Sequence, residues 1–467
     1  MVSPASGSAP ASAGQGQGET AQSLVAQRLA IGRTARRAAP RRVHANWTPS
    51  PDRADPVSLL LRQEQGRDPA LLPLRHGRMA SSPFAFYRGA AALMAADLAG
   101  TPTSGIRVQI SGDAHLLNFG AYAAPDRRLV FDLNDFDETH PGPWEWDVKR
   151  LAASLVVAAR DRRLSIDDAR VLALAALAGY RTQIHALAGM ADLDVWYSRI
   201  DVAQLMTSVP SGILQAEMKQ VLTAAATRDN VHSFAHLTAQ VDGQREFIDR
   251  PPLLVRLPEG PTRRRVLAML GRYPASLADD QRELLSRYRL VDVARKVVGV
   301  GSVGLAAYVA LYLGRDDDDP LILQVKEARA SVLADYLPGA RFLNQGHRVV
   351  AGQRLMQATS DTFLGWLSGP RGTFYYVRQL ADMKWSLDIA AVPFKGLKLY
   401  AQLCGQALAR AHARSGDRIA IDGYLGPGAA FDRAVLAFAE AYADRNALDH
   451  HAFQDAIAEG RLAAAPG

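Results

Sequence analysis

The chain has 467 residues, 48% of them hydrophobic, which excludes full disorder and allows two to four domains or one two-lobed enzyme. Its formal net charge is +7, but residues 1–50 hold six arginines against the single acid Glu19. The body is therefore nearly neutral, which argues against a basic nucleic-acid groove on the folded part. Cys404 is the only cysteine, so no intrachain disulfide can form. No apolar run reaches the ~18 residues of a membrane span, and the N-terminus lacks the apolar core of a secretory signal. These features predict a cytoplasmic protein without a membrane span or a specific nucleic-acid partner.

Residues 1–22 are mostly Ser, Ala, Gly, Gln and Pro and predict disorder. Residues 23–45 have the pattern of a short basic helix, so 1–46 reads as a solvated basic arm. Order is expected from about Trp47. Residues 83–98 read as one buried helix, and 119–122 and 129–133 as the arms of a hairpin. Residues 144–160 and 166–190 carry apolar positions at helical spacing, and helical pattern continues to about 290. Then the character changes. Residues 291–304 form a β-like run ending in glycines, and 306–313, 321–325, 362–367 and 373–377 read as strands, with one helix over 342–358. From 398 the chain is helical again. The division predicted is a helical part (47–290), a β-rich part (291–395) and C-terminal helices (396–467), an α+β protein.

Two constellations could carry chemistry. The first is Gly112-Asp113-Ala114-His115-Leu116-Leu117-Asn118, followed by a hairpin and Phe131-Asp132-Leu133-Asn134-Asp135-Phe136-Asp137-Glu138. Phosphoryl transfer needs a carboxylate that orients the attacking hydroxyl and oxygen ligands for Mg²⁺. Asp113 and Asn118, five residues apart on one loop, can supply the carboxylate and a ligand, and Asp132 can return to the same metal after the hairpin. A calcium loop fails, because Asp137 stands where that loop needs Gly. His115 has no partner at zinc-like spacing.

The second constellation is Gly299, Gly301, Ser302 and Gly304 in a G-x-G-x-x-G pattern. If a strand follows, it is a kinase-type loop over ATP phosphates; if a helix follows, it is a dinucleotide-binding turn. Residues 321–325 lead directly into Lys326, where a kinase places the lysine that grips the α- and β-phosphates. Only seven residues of the chain are lysine, which makes this placement more informative.

On these residues the sequence resembles the protein-kinase-like superfamily, especially its aminoglycoside and choline phosphotransferase branch. The matching stretches are SGDAHLLN, LVFDLND and GPWEWDVKRL. The resemblance implies Asp113 as catalytic base, with His115 beside it in the loop, Asn118 and Asp132 as Mg²⁺ ligands, Asp135 as a further acid at the metal, and Asp147 as a buried brace of the loop. It implies a hinge over 376–380, with Gln379 contacting adenine through its backbone. The order differs from an ordinary kinase, because the glycine loop and Lys326 follow the catalytic loop. A helix ending Ala-Leu-Ala-Arg410-Ala-His412, similar to the one that normally enters that loop, lies near the C-terminus. A circular permutation between that helix and the loop accounts for both. Ser111 stands where the motif has His, and no Glu between Ala328 and Asp382 can pair with Lys326; Gln353 or Asp335 are the substitutes available. From about residue 47 the chain also resembles an uncharacterised bacterial family, the domain of unknown function numbered 2252, on RMASSPFAFYRG, GDAHLLNFG, FDLNDFDE, VGVGSVG, QVKEA and YYVRQLADMK.

The expectation is a circularly permuted, two-lobed kinase-like fold. It would be an ATP- and Mg²⁺-dependent phosphotransferase acting on an unknown small-molecule or protein acceptor. Arg88 and Arg378 are candidates for phosphate or substrate contact. Trp144, Trp146 and Cys404 are expected in the core. The rival readings are an NAD(P)-linked oxidoreductase using the 299–304 loop, a non-catalytic nucleotide-binding protein, and transfer of AMP in place of phosphate.

Overall fold

A computed structural model describes residues 16–208, 212, 230–297, 299–339, 342–380 and 387–466. It combines helical layers with antiparallel sheets, an α+β arrangement. The larger core forms around the helix Trp144–Asp161. Its first turn carries Glu145 and Asp147 and its last turn Arg160, each at the end the helix dipole favours. Nearly all of this helix is buried, packed by Ile166–Ala188, Ala430–Ala458 and Pro83–Gly89. The helix Phe394–Ser415 lies against Ile166–Ala188 over its length. Small residues permit that approach: a methyl group on Gly405 would stand 2.0 Å from the Ala176 carbonyl oxygen. Trp144, Trp146 and Cys404 are all buried in this core, and burial raises the Cys404 thiol well above its ordinary value.

Two short antiparallel pairs flank the segment 111–118 and the acidic run after it. β1 (Arg107–Ile110) pairs with β4 (His140–Pro143), and β2 (Phe119–Ala123) pairs with β3 (Leu129–Leu133), which also takes the two-residue β5 (Ile200–Asp201). The second core is a six-stranded antiparallel sheet. β6 (Thr238–Val241) and β7 (Gln244–Phe247) form a hairpin beside it. The sheet strands are β8 (Leu254–Arg256), β9 (Arg289–Lys296), β10 (Ala307–Leu313), β11 (Pro320–Ala328), β12 (Gly365–Ser368) and β13 (Phe374–Gln379), in the order β12-β13-β11-β10-β9-β8. β11 is central and apolar along most of its length, as a strand covered on both faces should be. The helix Gln345–Met356 packs against it and β13.

Three expectations on organisation need correction. The β-rich part begins before 291: β8 joins the sheet, and the helix Pro261–Leu270 packs on it through Val266, Met269 and Leu270. Strands of three or four residues are too short to display a period of two, so the sequence pattern missed them. Residues 83–98 form two helices, Pro83–Gly89 and Ala91–Ala99, broken at Ala90. The arm is not solvated throughout. Residues 1–15 lie outside the described residues, but Gly16–Ala38 is a helix docked on Arg418–Leu425. Gly32 and Gly423 make the crossing close, and buried His44 bonds Tyr424 Oη at 2.6 Å. Glycine counts as a disorder signal by composition, yet here its missing side chain is what lets two helices touch. Among the described residues no helix is long and apolar enough to cross a membrane.

Candidate functional site

The Asp113 loop leaves β1 at Ser111 and Gly112. Gly112 has φ +79°, and a Cβ there would meet the Glu138 carbonyl oxygen at 2.5 Å, so only glycine suits the turn. Asp147 braces the loop from the following helix: its carboxylate accepts the Ser111 and Gly112 amides at 2.7 and 2.9 Å and lies 3.3 Å from His412 Nε2. The Asp113 side chain is 21% exposed and opens into a cleft. Burial pushes its carboxyl up to about 7; Arg150, whose Nε donates at 2.6 Å, works against this, while Asp135 and Glu138 add to it. Asn118 Nδ2 donates to the Asp113 carbonyl at 2.6 Å, fixing the loop's far end. His115 is buried and its Nδ1 accepts the Leu117 amide, with Nε2 3.9 Å from Asp113. Burial, reinforced by Arg88 and Arg150, holds its pKa well below the ordinary value, so the imidazole is neutral.

The acidic segment divides its carboxylates between two environments. Asp132, expected at the metal, is instead sealed in the core. Both its oxygens take Arg410 Nη2 at 2.6 Å, and the Leu133 and Ala358 amides donate to them as well. It does not line the cleft. The acids just past the end of β3 do: Asp135, Asp137 and Glu138 all face the cleft beside Asp113, His115 and Asn118. The acid available to a metal is therefore Asp135, three residues beyond the position read from the motif.

Lys326 reaches this segment from the sheet. Its Nζ donates to Asp137 Oδ2 at 2.7 Å and stands 4.0 Å from Asp135. Tyr376 Oη donates to the other Asp137 oxygen at 2.6 Å. Burial works against the Lys326 ammonium, but the two aspartates outweigh it and raise its pKa. Burial likewise opposes ionised Asp137, yet Lys326 and Tyr376 hold its pKa below the usual carboxylate value. The missing glutamate partner is thus replaced by Asp137, and neither Gln353 nor Asp335 takes that part. Gln353 bonds Gln357, and Asp335 lines the cleft edge. The helix after the lysine strand contributes Arg348, which holds the Thr139 and Asp137 carbonyls at 2.6 and 2.7 Å.

Gly299, Gly301 and Ser302 form one wall of the cleft, and a strand, β10, follows the loop. Arginines from the preceding helical segment pin the loop's carbonyls. Arg67 donates to Gly301 and Val303, Arg75 to Val300 and Gly301, and Arg78 to Gly299, all between 2.6 and 3.1 Å. Gly304 closes the loop with φ +88° against Arg67. Among the described residues the amides of Val300, Gly301 and Ser302, all on the cleft wall, donate no hydrogen bond, which leaves them to a ligand. Gln379 does not line the cleft: its backbone N–H donates to Asp361 and, at the end of β13, it pairs with Leu323 of β11. Arg378 donates to the Asn134 carbonyl at 2.9 Å and is structural.

The cleft encloses about 630 Å³, the size of a small-ligand site. Its donors are hard oxygens, which suit Mg²⁺ rather than a soft metal. Among the described residues no three His, Cys, Asp or Glu side chains gather tightly enough to cage a metal. Mg²⁺ needs only one or two protein ligands when phosphates and waters complete its shell, and Asp135 and Asn118 fit that part. Arg150, Asp137, Tyr376 and the three loop-pinning arginines were missed in the sequence. Arg150 sits three residues after Asp147 and Arg78 three after Arg75, each pair on one helix face, a spacing that could have flagged them.

No curated protein matches the chain, and no solved structure does. One family matches residues 67–456, most of the chain, and its description is an uncharacterized protein conserved in bacteria. The Asp113 loop, the Lys326 strand and the glycine loop all fall within that match, and the chain belongs to this family, DUF2252.

Proposed function

We propose that the protein is an ATP- and Mg²⁺-dependent phosphotransferase of permuted kinase-like fold. The carrying observation is the cleft itself. Asp113, Asn118, Asp135 and Asp137 line it together with Ser302, about 190 residues beyond Asp113 along the chain, and Lys326, buried behind the lining, touches it through its bond to Asp137. The strand after the glycine loop supports the kinase-type reading over a dinucleotide turn, which needs a helix N-terminus at that point. The permutation is supported at the end of the Phe394–Ser415 helix. Ser415 Oγ accepts the Gln109 amide at 3.2 Å, and a Cβ on Gly416 would lie 2.4 Å from Val108. Joining the chain there would lead this helix directly into the catalytic loop.

Asp113 takes the proton of an acceptor hydroxyl or amine. The acceptor atom bonds to the γ-phosphorus as the bond to the bridging oxygen breaks, and that electron pair leaves on ADP. Lys326 grips the non-transferred phosphates, and the free glycine-loop amides bind their oxygens. Mg²⁺ on Asp135 and Asn118 would neutralise the charge that develops. A carboxyl near pKa 7 is matched to accepting a proton at neutral pH.

The test is titration of the protein with ATP, with and without Mg²⁺, beside Lys326→Ala and Asp135→Ala. Mg²⁺-dependent binding weakened in both variants is expected. Tight NAD(H) binding without ATP binding would overturn the proposal. Mg²⁺-ATP binding with no slow hydrolysis that depends on Asp113 would favour the non-catalytic reading, which the close Arg150–Asp113 pair also suits.

A further inference from the structure

Five arginines stand near Asp113 and the glycine loop with their charge committed: Arg150 to Asp113, Arg67, Arg75 and Arg78 to loop carbonyls, and Arg329 to Glu327 and the Gln65 and Gly66 carbonyls. Arg88 differs. It lines the cleft, its Nε is buried without a hydrogen-bond partner, and no acid pairs with it among the described residues. An unpaired, partly buried guanidinium is unfavourable unless a ligand completes it.

Its position is fixed on both sides. Tyr87, the preceding residue, gives its carbonyl to Arg150 at 3.2 Å, the arginine that holds Asp113. Gly89, the following residue, gives its carbonyl at 3.0 Å to Arg75, the arginine that holds Val300 and Gly301. A Cβ on Gly301 would lie 3.8 Å from the Arg88 carbonyl oxygen. Arg88 therefore bridges the glycine loop and the base. In an in-line transfer the γ-phosphorus must lie between those two elements.

We propose that Arg88 is the γ-phosphate anchor of this cleft, a cation supplied in cis that binds the oxygens of the transferred phosphoryl group. The inference rests on the phosphotransferase reading. It assigns the site to nucleoside triphosphates in preference to diphosphates, because only the triphosphate reaches Arg88. Lys326, tied to Asp137 behind the cleft lining, serves the phosphates that both nucleotides share.

The experiment is calorimetric titration of the full chain with Mg²⁺-ATP and with Mg²⁺-ADP, for the native protein, Arg88→Ala, Arg88→Lys and Lys326→Ala. Loss of a charge-assisted contact should weaken ATP binding to Arg88→Ala roughly tenfold to a hundredfold and leave ADP within about twofold. Arg88→Lys should recover part of the ATP affinity, and Lys326→Ala should weaken both nucleotides. Arg88→Gln, nearer in volume, makes the same comparison if the alanine variant does not fold. Equal losses for ATP and ADP, or no loss for either, would overturn the Arg88 assignment alone. Failure of the native protein to bind ATP would overturn the phosphotransferase reading and this assignment with it.

Discussion

Replacing Asp132 separates a structural acid from a metal ligand. The Asp132 side chain is fully buried and Arg410 is 2% exposed. Among the described residues Arg410 Nε and Nη1 have no partner, so Asp132 and the Met356 carbonyl carry the whole guanidinium through Nη2. Asp132→Ala strands that cation and also leaves the Leu133 and Ala358 amides without their acceptor. Breaking one side of a buried pair costs about 3–5 kcal/mol. For a chain of this length, losing ~2 cal/mol/K of order per residue at the midpoint, the shift is roughly 3–5 °C in Tm. Asp132→Leu with Arg410→Met removes both charges and should recover most of the loss. Asp132→Asn keeps an acceptor for one of the two amides and should fold with reduced stability, with Mg²⁺-dependent ATP binding unchanged. The assays are urea denaturation and nucleotide titration on the same preparations. An Asp132→Asn protein of native stability that had lost Mg²⁺-dependent binding would refute the reasoning and return Asp132 to the metal.

Other outcomes follow from the cleft and the arm. Hydrolysis of ATP, measured as kcat/KM, should rise as pH increases through about 7, because the base acts only when ionised and burial holds its carboxyl there. Asp113→Asn should abolish that rise together with the turnover while ATP still binds. Asp137→Asn leaves Lys326 with Asp135 at 4.0 Å as its nearest acid and should weaken ATP binding about tenfold or more. Gly32→Leu should destabilise by roughly 1–3 kcal/mol through overpacking, since even a Cβ there meets the Ala420 carbonyl oxygen at 2.0 Å, and nucleotide affinity should not change.

The residues that a loop places directly were the legible ones. Asp113, Asn118 and the glycines reach the cleft because each sits on a short turn whose backbone fixes where it points, and turn chemistry is local. Asp147 was legible as a brace because its helix starts beside the loop it holds. What depends on pairing across the chain was not. Asp132 and Asp135 both carry a carboxylate in the same acidic run, and only the contact with Arg410, 278 residues away, decides which one is buried. Lys326 was expected just past a strand over 321–325 but lies within β11, which continues to Ala328, and its partner lies 189 residues upstream. The short strands from 238 to 256 lie below the length at which a period can be read, and β8 declares itself only by pairing with β9.

The Lys326–Asp137 pair also changes what the absence of a glutamate means. A glutamate on a helix beside the sheet would tie the lysine within the β-rich part. Asp137 instead belongs to the segment that carries Asp135, so the same ion pair that orients the lysine joins the sheet to the acid proposed for the metal. Tyr376, on β13, bonds the second Asp137 oxygen, and Arg348, on the helix after the lysine strand, holds the Asp137 carbonyl. Three elements of the sheet side therefore converge on one residue of the acidic segment. Displacing Asp137 would loosen the lysine, the acid at the metal and the contact between the two parts together. Asp137→Asn should accordingly weaken ATP binding and raise hydrogen exchange in β11 and in residues 134–139 at once. A change confined to nucleotide affinity, with exchange in both segments unaltered, would show that the pair positions Lys326 without joining the two parts.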